Sequence, residues 1–260
     1  MEHAKHLPPF IPDNPSACKV IQDMYMDKKS TDVVFEVGGR HATTTAKTKK
    51  VKDASTEFYA HRLILMKAAP QIAELCIVSN ESSLRITIPD MLASTFKDML
   101  SYIYGRPIQM LENDPTRMQS IIEAANKYGV TNLKVETEVS YVSFIRKAFD
   151  IENIMEHLLY ADAMNLAYLK EAVMDFIVGN KAEIMKNKVL ANAPGDIAND
   201  VLSAVKRSED GFEARNDVEL GILGINELRR RAHAIGLCVD GSREALIAAI
   251  ESMEVVAEND

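Results

Sequence analysis

"EFYAHRLILMKAAPQIAELC", residues 57–76, changes character at its middle, and that change decides the fold class. Glu57–Ala60 has the short, aromatic-bearing pattern of a strand. From His61 onward, Leu63, Met66, Ile72 and Leu75 recur at helical spacing and predict the apolar side of two short helices. Pro70 falls where the second helix opens, because a proline at the first helical position gives up only an amide that has no intrahelical acceptor.

On the N-terminal side, Val33–Val37 in "STDVVFEVGG" predicts a strand stopped by Gly38-Gly39 and paired with Glu57–Ala60. The Thr- and Lys-rich segment between them has no core-forming pattern and predicts an exposed loop. Val20, Ile21, Met24 and Tyr25 follow helical spacing. Residues 1–15 are proline-rich and predict a flexible tail. On the other side, "LRITIPD" alternates as a strand ending at Pro89. Leu92, Phe96, Met99, Leu100 and Ile103 give a helix closed by Gly105, and two more helices are split at Gly129. Few strands followed by many helices predict an α+β domain over residues 16–145.

Beyond Asp150 every pattern is helical. Ile151, Ile154 and Leu158 line one helix, and Leu169, Val173, Phe176 and Ile177 line another that stops at Gly179-Asn180. Residues 146–207 therefore predict an all-α extension. Residues 208–221, charged and without period, predict a linker. Residues 222–253 predict a small helical hairpin. Ile225, Leu228, Ala232 and Ile235 form one stripe, and Gly236 ends the first helix. Asp240-Gly241 turns the chain, Ser242 caps the second helix, and Leu246, Ile247 and Ile250 line it. Residues 254–260 predict a tail.

Of the 260 residues, 47% are apolar and 26% charged, the mix of a globular protein, with a formal net charge of -8 and a pI near 5.4. Such a chain is not drawn onto nucleic acid by its overall field, so any such binding needs a local patch. No apolar run is long enough for a signal peptide or a membrane span. Cys18, Cys76 and Cys238 are odd in number, far apart and predict reduced thiols. Together these predict a soluble intracellular protein that binds no membrane. The six histidines show no metal-ligand spacing, and no phosphate loop or nucleophile motif is present, which predicts no enzyme, cofactor or metal. Lys47, Lys49, Lys50 and Lys52 match a loose nuclear-import pattern, although such short matches also occur in loops whose lysines serve only solubility; the protein is placed in nucleus or cytoplasm, with the nucleus slightly favoured.

The segment Thr31-Asp32-Val33-Val34-Phe35, the His61-Arg62-x-x-Leu65-x-x-x-Ala69-Pro70-x-Ile72 run, "IPDMLASTFKDMLSYIYG" and "IIEAANKYGVTNLK" resemble a BTB/POZ domain in order and spacing. "IENIMEHLLYADAMNLAYLKEAVMDFI" resembles the BACK-like helices that follow the BTB in speckle-type POZ proteins. The resemblance implies a homodimer in which Val20, Ile21, Met24 and Tyr25 meet the partner subunit, with Asp32 and Arg62 near that interface and His61 buried and hydrogen-bonded. It also implies docking to a cullin scaffold through Met66, Cys76, Ile77, Tyr102 and Tyr104 and the first helix after the BTB. The hydrophobic-x-Glu motif of strong cullin binders is missing from "IVSNESSL", and no MATH or Kelch substrate module is read in these residues.

Glu227-Leu228, Gly236-Leu237, Gly241, Arg243 and Leu246-Ile247 resemble a SAP motif, a helix-linker-helix associated with DNA binding. That resemblance makes Arg229, Arg230, Arg231 and Arg243 candidate DNA contacts. Ala245 stands where the motif usually has Glu, and Ala249 where it has a basic residue. Three consecutive helical residues lie about 100° apart, so Arg229–Arg231 fan around the helix instead of facing one groove. Two readings follow. One is a non-enzymatic dimeric scaffold or adaptor, recruiting an unidentified substrate protein to a cullin-type ubiquitin ligase. The other is a nuclear DNA- or chromatin-associated regulator that contacts DNA through the hairpin, which otherwise packs or binds protein.

Overall fold

The computed structural model describes residues 19–38, 55–76, 84–108, 114–187, 193–209 and 220–258. They fall into two compact units that divide between Thr137 and Glu138.

In the first unit, helix α1 (Lys19–Met26) precedes strand β1 (Val33–Val37), strand β2 (Thr56–Ala60) and helices α2 (Arg62–Ala68) and α3 (Pro70–Leu75). Strand β3 (Leu84–Ile88), helix α4 (Ala93–Ile103) and helix α5 (Pro115–Tyr128) follow, and helix α6 (Thr131–Ile145) carries the chain across the division. β1 is the centre of a three-stranded sheet, antiparallel to β2 and parallel to β3. Val33, Phe35 and Val37 alternate onto the face that meets the core, while of the two residues on the other face Val34 is buried and Glu36 reaches out. Glu36 and Glu57 share the guanidinium of Arg85 on the exposed face of the sheet. Phe96 of α4 sits under Phe35 and Phe58, with ring centroids 5.2 and 5.1 Å away. α5 ends at Gly129, whose φ of +68° is the left-handed cap that an L side chain resists.

The strands match their sequence readings, but the helix pair α2–α3 is turned. Leu65, Ile72 and Ala73 enter the core, while Leu63, Met66 and Leu75 point to solvent. Residues 63–66 are apolar without a break, so periodicity could not choose between the two faces. Leu92, read as part of the buried side of α4, is the exposed N-cap of that helix.

The second unit is built around helix α8 (Ala167–Gly179). Helices α7 (Ile154–Ala163), α9 (Lys181–Lys186), α10 (Gly195–Glu209) and α11 (Ile225–Ala234) all pack on it, and α12 (Arg243–Glu258) packs on α11. Ile154, Leu158, Leu169, Val173 and Ile177 are buried as their spacing predicts. Gly236 takes a φ of +75° after α11, and the Ser242 hydroxyl accepts the Ala245 amide at 3.2 Å. α11 and α12 fall in the same compact unit as α7–α10. α10 extends to Glu209 and α12 to Glu258, so helix enters both the expected linker and the expected tail. Residues 210–219, 1–15 and 259–260 lie outside the described residues. Ile235, read as the end of the α11 stripe, is exposed, and the buried row runs Ile225, Leu228, Arg229 and Ala232.

Candidate functional site

Helix α2 lacks a cap of its own, since no side chain at His61 accepts its first amides. Asp32, one residue ahead of β1, supplies it. Its Oδ1 accepts the Arg62 amide at 2.8 Å and its Oδ2 accepts Arg62 Nε at 3.1 Å. A helix N-terminus leaves amides without acceptors, and a carboxylate there also meets the positive end of the helix dipole. Below Arg62, the buried His61 donates its backbone N–H to the Tyr104 hydroxyl at 2.9 Å, and its Nδ1 lies 2.8 Å from the same oxygen. The Tyr104 hydroxyl thus ties the His61 amide to its own ring, while Nε2 lies 2.9 Å from Ser30 Oγ. Burial holds the Tyr104 phenol far above the ordinary tyrosine range, which keeps that hydroxyl protonated.

The result is a short helix fixed from beneath, with Leu65 and Ala69 in the core. Its outer face carries Leu63, 71% exposed, and Met66, 57% exposed, one turn apart. Apolar side chains held outward on a rigid base are suited to contact with another protein.

Other expected site residues are placed differently. Ile21, Met24 and Tyr25 are partly buried against the core of their own domain. Tyr25 lies 5.2 Å from the Tyr104 ring, and Gln22 Nε2 donates to the Gly105 carbonyl at 2.7 Å. Met26, at the end of α1, is exposed. The Val20 side chain, Ile77 and Lys47, Lys49, Lys50 and Lys52 lie outside the described residues. Of the residues expected to face a cullin, Met66 is on the surface. Cys76, Tyr102 and Tyr104 are core residues and offer no contact surface. Burial pushes the Cys76 thiol up, and its Sγ donates to the Ile72 carbonyl at 3.4 Å, so it is a packed thiol and not a nucleophile. Burial also raises the Glu136 carboxyl, which faces the Tyr102 hydroxyl.

The candidate DNA-contacting arginines are engaged by acids. Arg229 is fully buried and corrects the reading most sharply: Nη2 meets Glu138 Oε2 at 2.7 Å and Nε donates to the Val239 carbonyl at 3.2 Å. Arg230 and Arg231 both approach Glu227, at 3.4 and 3.8 Å. Arg243 lies 3.5 Å from Glu171 and donates to the Gly221 carbonyl at 2.8 Å. Sequence reasoning missed Glu138 and Glu171. The signal for Glu138 was its place in "VETEVSYV", among residues that are buried on nearly every side of α6.

Two shallow depressions mark the surface. One, of about 530 Å³, is lined by Asp150, Ile151, Glu152, Phe176, Asn180 and Glu183. The other, of about 350 Å³, lies among Gln71, Leu75, Ile88, Lys127 and Tyr128. Neither sets a nucleophile beside a base. Among the described residues, no His/Cys/Asp/Glu group is placed to hold a metal ion, and no helix is long and apolar enough to cross a membrane.

Residues 22–144 match the family model described as BTB/POZ domain. BTB and MATH domain-containing protein 42 of Caenorhabditis elegans is 23% identical over 208 residues, covering 77% of this chain and 46% of its own length. BTB/POZ and MATH domain-containing protein 3 of Arabidopsis thaliana is 23% identical over 236 residues, covering 81% of this chain and 53% of its own. Kelch-like protein 6 of Homo sapiens is 27% identical over 150 residues, 57% of this chain and 23% of its own. The alignment thus spans about half or less of each of these relatives, while the first two similarities run beyond the length of residues 22–144. The sheet with β1 at its centre, the α2–α3 pair and the helices that follow, together with this match, identify residues 22–144 as a BTB/POZ domain.

Proposed function

We propose that the chain is a non-enzymatic adaptor that forms a homodimer through its BTB/POZ domain and brings an unidentified protein to a cullin-type ubiquitin-ligase scaffold. The observation that carries this reading is the outer face of α2, where Leu63 and Met66 project from a base fixed by Asp32, His61 and Tyr104. Two apolar side chains held that way favour a macromolecular partner over a small substrate. The accessible part of the partly buried Ile21, Met24 and Tyr25, with the exposed Met26 beside it, is the surface assigned to the second copy. The relatives whose names pair a BTB domain with a MATH domain support an adaptor role, in which the BTB part is one element of a larger assembly.

Sedimentation equilibrium at micromolar concentration, followed by capture on an immobilised cullin scaffold, tests the reading. The expected result is a dimer that is captured, with capture lost in Leu63→Asp/Met66→Glu while the dimer remains. A monomer that the scaffold does not retain would overturn it.

A further inference from the structure

Two helices of the second unit begin without a cap of their own. No side chain at Leu166 accepts the first amides of α8, and none at Gly224 accepts those of α11. Each is capped from a distance by a glutamate, and each of those glutamates also holds an arginine of the C-terminal hairpin. Glu138 of α6 accepts the Tyr168 and Leu169 amides on Oε1, at 2.8 and 3.1 Å, and Arg229 on Oε2 at 2.7 Å. Glu171 of α8 accepts the Ile225 amide at 2.7 Å and lies 3.5 Å from Arg243. Gly224 lets this happen: a Cβ there would stand 3.3 Å from the Glu171 carboxylate, tighter than an ordinary contact.

The pairs form a chain of support. α6 caps α8, α8 caps α11, and arginines from α11 and α12 return to the two capping acids. With Glu138 and Arg229 at 1% and 0% exposure, removal of either leaves a charge in the interior with its counter-charge gone. We infer that residues 220–258 act as a built-in clasp that closes the helical unit, and that holding the clasp shut is the use made of Arg229 and Arg243. Nucleic-acid binding through these side chains and the closed clasp are then mutually exclusive, because a phosphate would have to take the place of Glu138 or Glu171.

The test uses the full chain. Arg229→Met is expected to lower the melting temperature of the helical unit by on the order of 10 °C. Adding Glu138→Gln, which removes the stranded charge but keeps an acceptor for the α8 amides, is expected to recover part of the loss. The parent chain is expected to give no mobility shift on an AT-rich duplex at low salt. If Arg229→Met does not fold, Glu171→Gln decides. It is expected to melt lower than the parent and to speed hydrogen exchange across 225–234. An Arg229→Met chain melting with the parent, a Glu171→Gln chain unchanged in both readouts, or a parent that shifts the duplex would overturn the clasp.

Discussion

The two units solve one problem at opposite depths. In the first unit, Asp32 caps α2 and holds Arg62, with the side chains 38% and 27% exposed. In the helical unit, Glu138 caps α8 and holds Arg229 out of water altogether. The bonds are alike, each a carboxylate with one oxygen on helix amides and the other on a guanidinium. What differs is the consequence of breaking them. Near the surface, water replaces a lost partner and salt screens the rest, so such a pair contributes little. In the interior nothing replaces it, and the remaining ion carries its full desolvation cost. The shallow pair orients a short helix; the deep pair decides whether a segment of chain stays attached.

The comparison can be broken in several places. Arg229→Met should destabilise the helical unit by about 3–5 kcal/mol in chemical denaturation; a cost near that of a surface pair would erase the distinction. Tyr104→Phe removes the hydroxyl that serves both the amide and the ring of the buried His61. It should cost about 1–3 kcal/mol in the first unit, with packing otherwise retained. Asp32→Asn keeps an acceptor for the Arg62 amide and loses only a partly exposed ion pair, so its cost should be about 1 kcal/mol. A value matching that of Arg229→Met would mean depth is not the deciding variable.

Acid should act on the helical unit through His157, beside Phe149 with centroids 5.3 Å apart. Burial lowers the pKa of this imidazole despite the nearby carboxylates of Glu156 and Asp150. The folded state therefore favours the neutral ring. Its contribution is complete above the ordinary histidine value and is lost as pH falls through that value toward the depressed one. The melting temperature of the unit should drop over that interval, and His157→Gln should flatten that part of the drop. The smallest effect belongs to Arg85, whose bridges to Glu36 and Glu57 lie on the open face of the sheet. Arg85→Gln should leave both unfolding transitions where they are in moderate salt.

The strands were legible in the sequence because each is short, rich in β-branched or aromatic residues and bounded by breakers. β1 ends before a glycine pair, and β3 ends before Pro89. Glycines marked the ends of α5 and α11 for a similarly local reason. Faces were harder where apolar residues are contiguous. In "RLILMKA" every rotation of the helix buries something apolar, and only packing against α3 and α4 selected Leu65 over Leu63 and Met66. That ambiguity hid the exposed face on which the proposed partner surface rests. Cys76, Tyr102 and Tyr104 were legible as members of the right segments, yet their size and apolarity place them in the core. Arg229 was misread because arginine is rarely fully buried. Its position four residues after Ile225 and three before Ala232 put it on the buried stripe, but its counter-charge is 91 residues away on α6. No local pattern connects such a pair.

The most direct test is a pair of double-mutant cycles on the full chain, one joining Glu138→Gln with Arg229→Met and the other joining Asp32→Asn with Arg62→Met. Each is read from the unfolding transition of its own unit. A coupling of about 3 kcal/mol at the buried pair, against less than about 1 kcal/mol at the shallow one, is the predicted result. Equal couplings, or a larger one between Asp32 and Arg62, would contradict the claim that the C-terminal hairpin is held by its buried arginine.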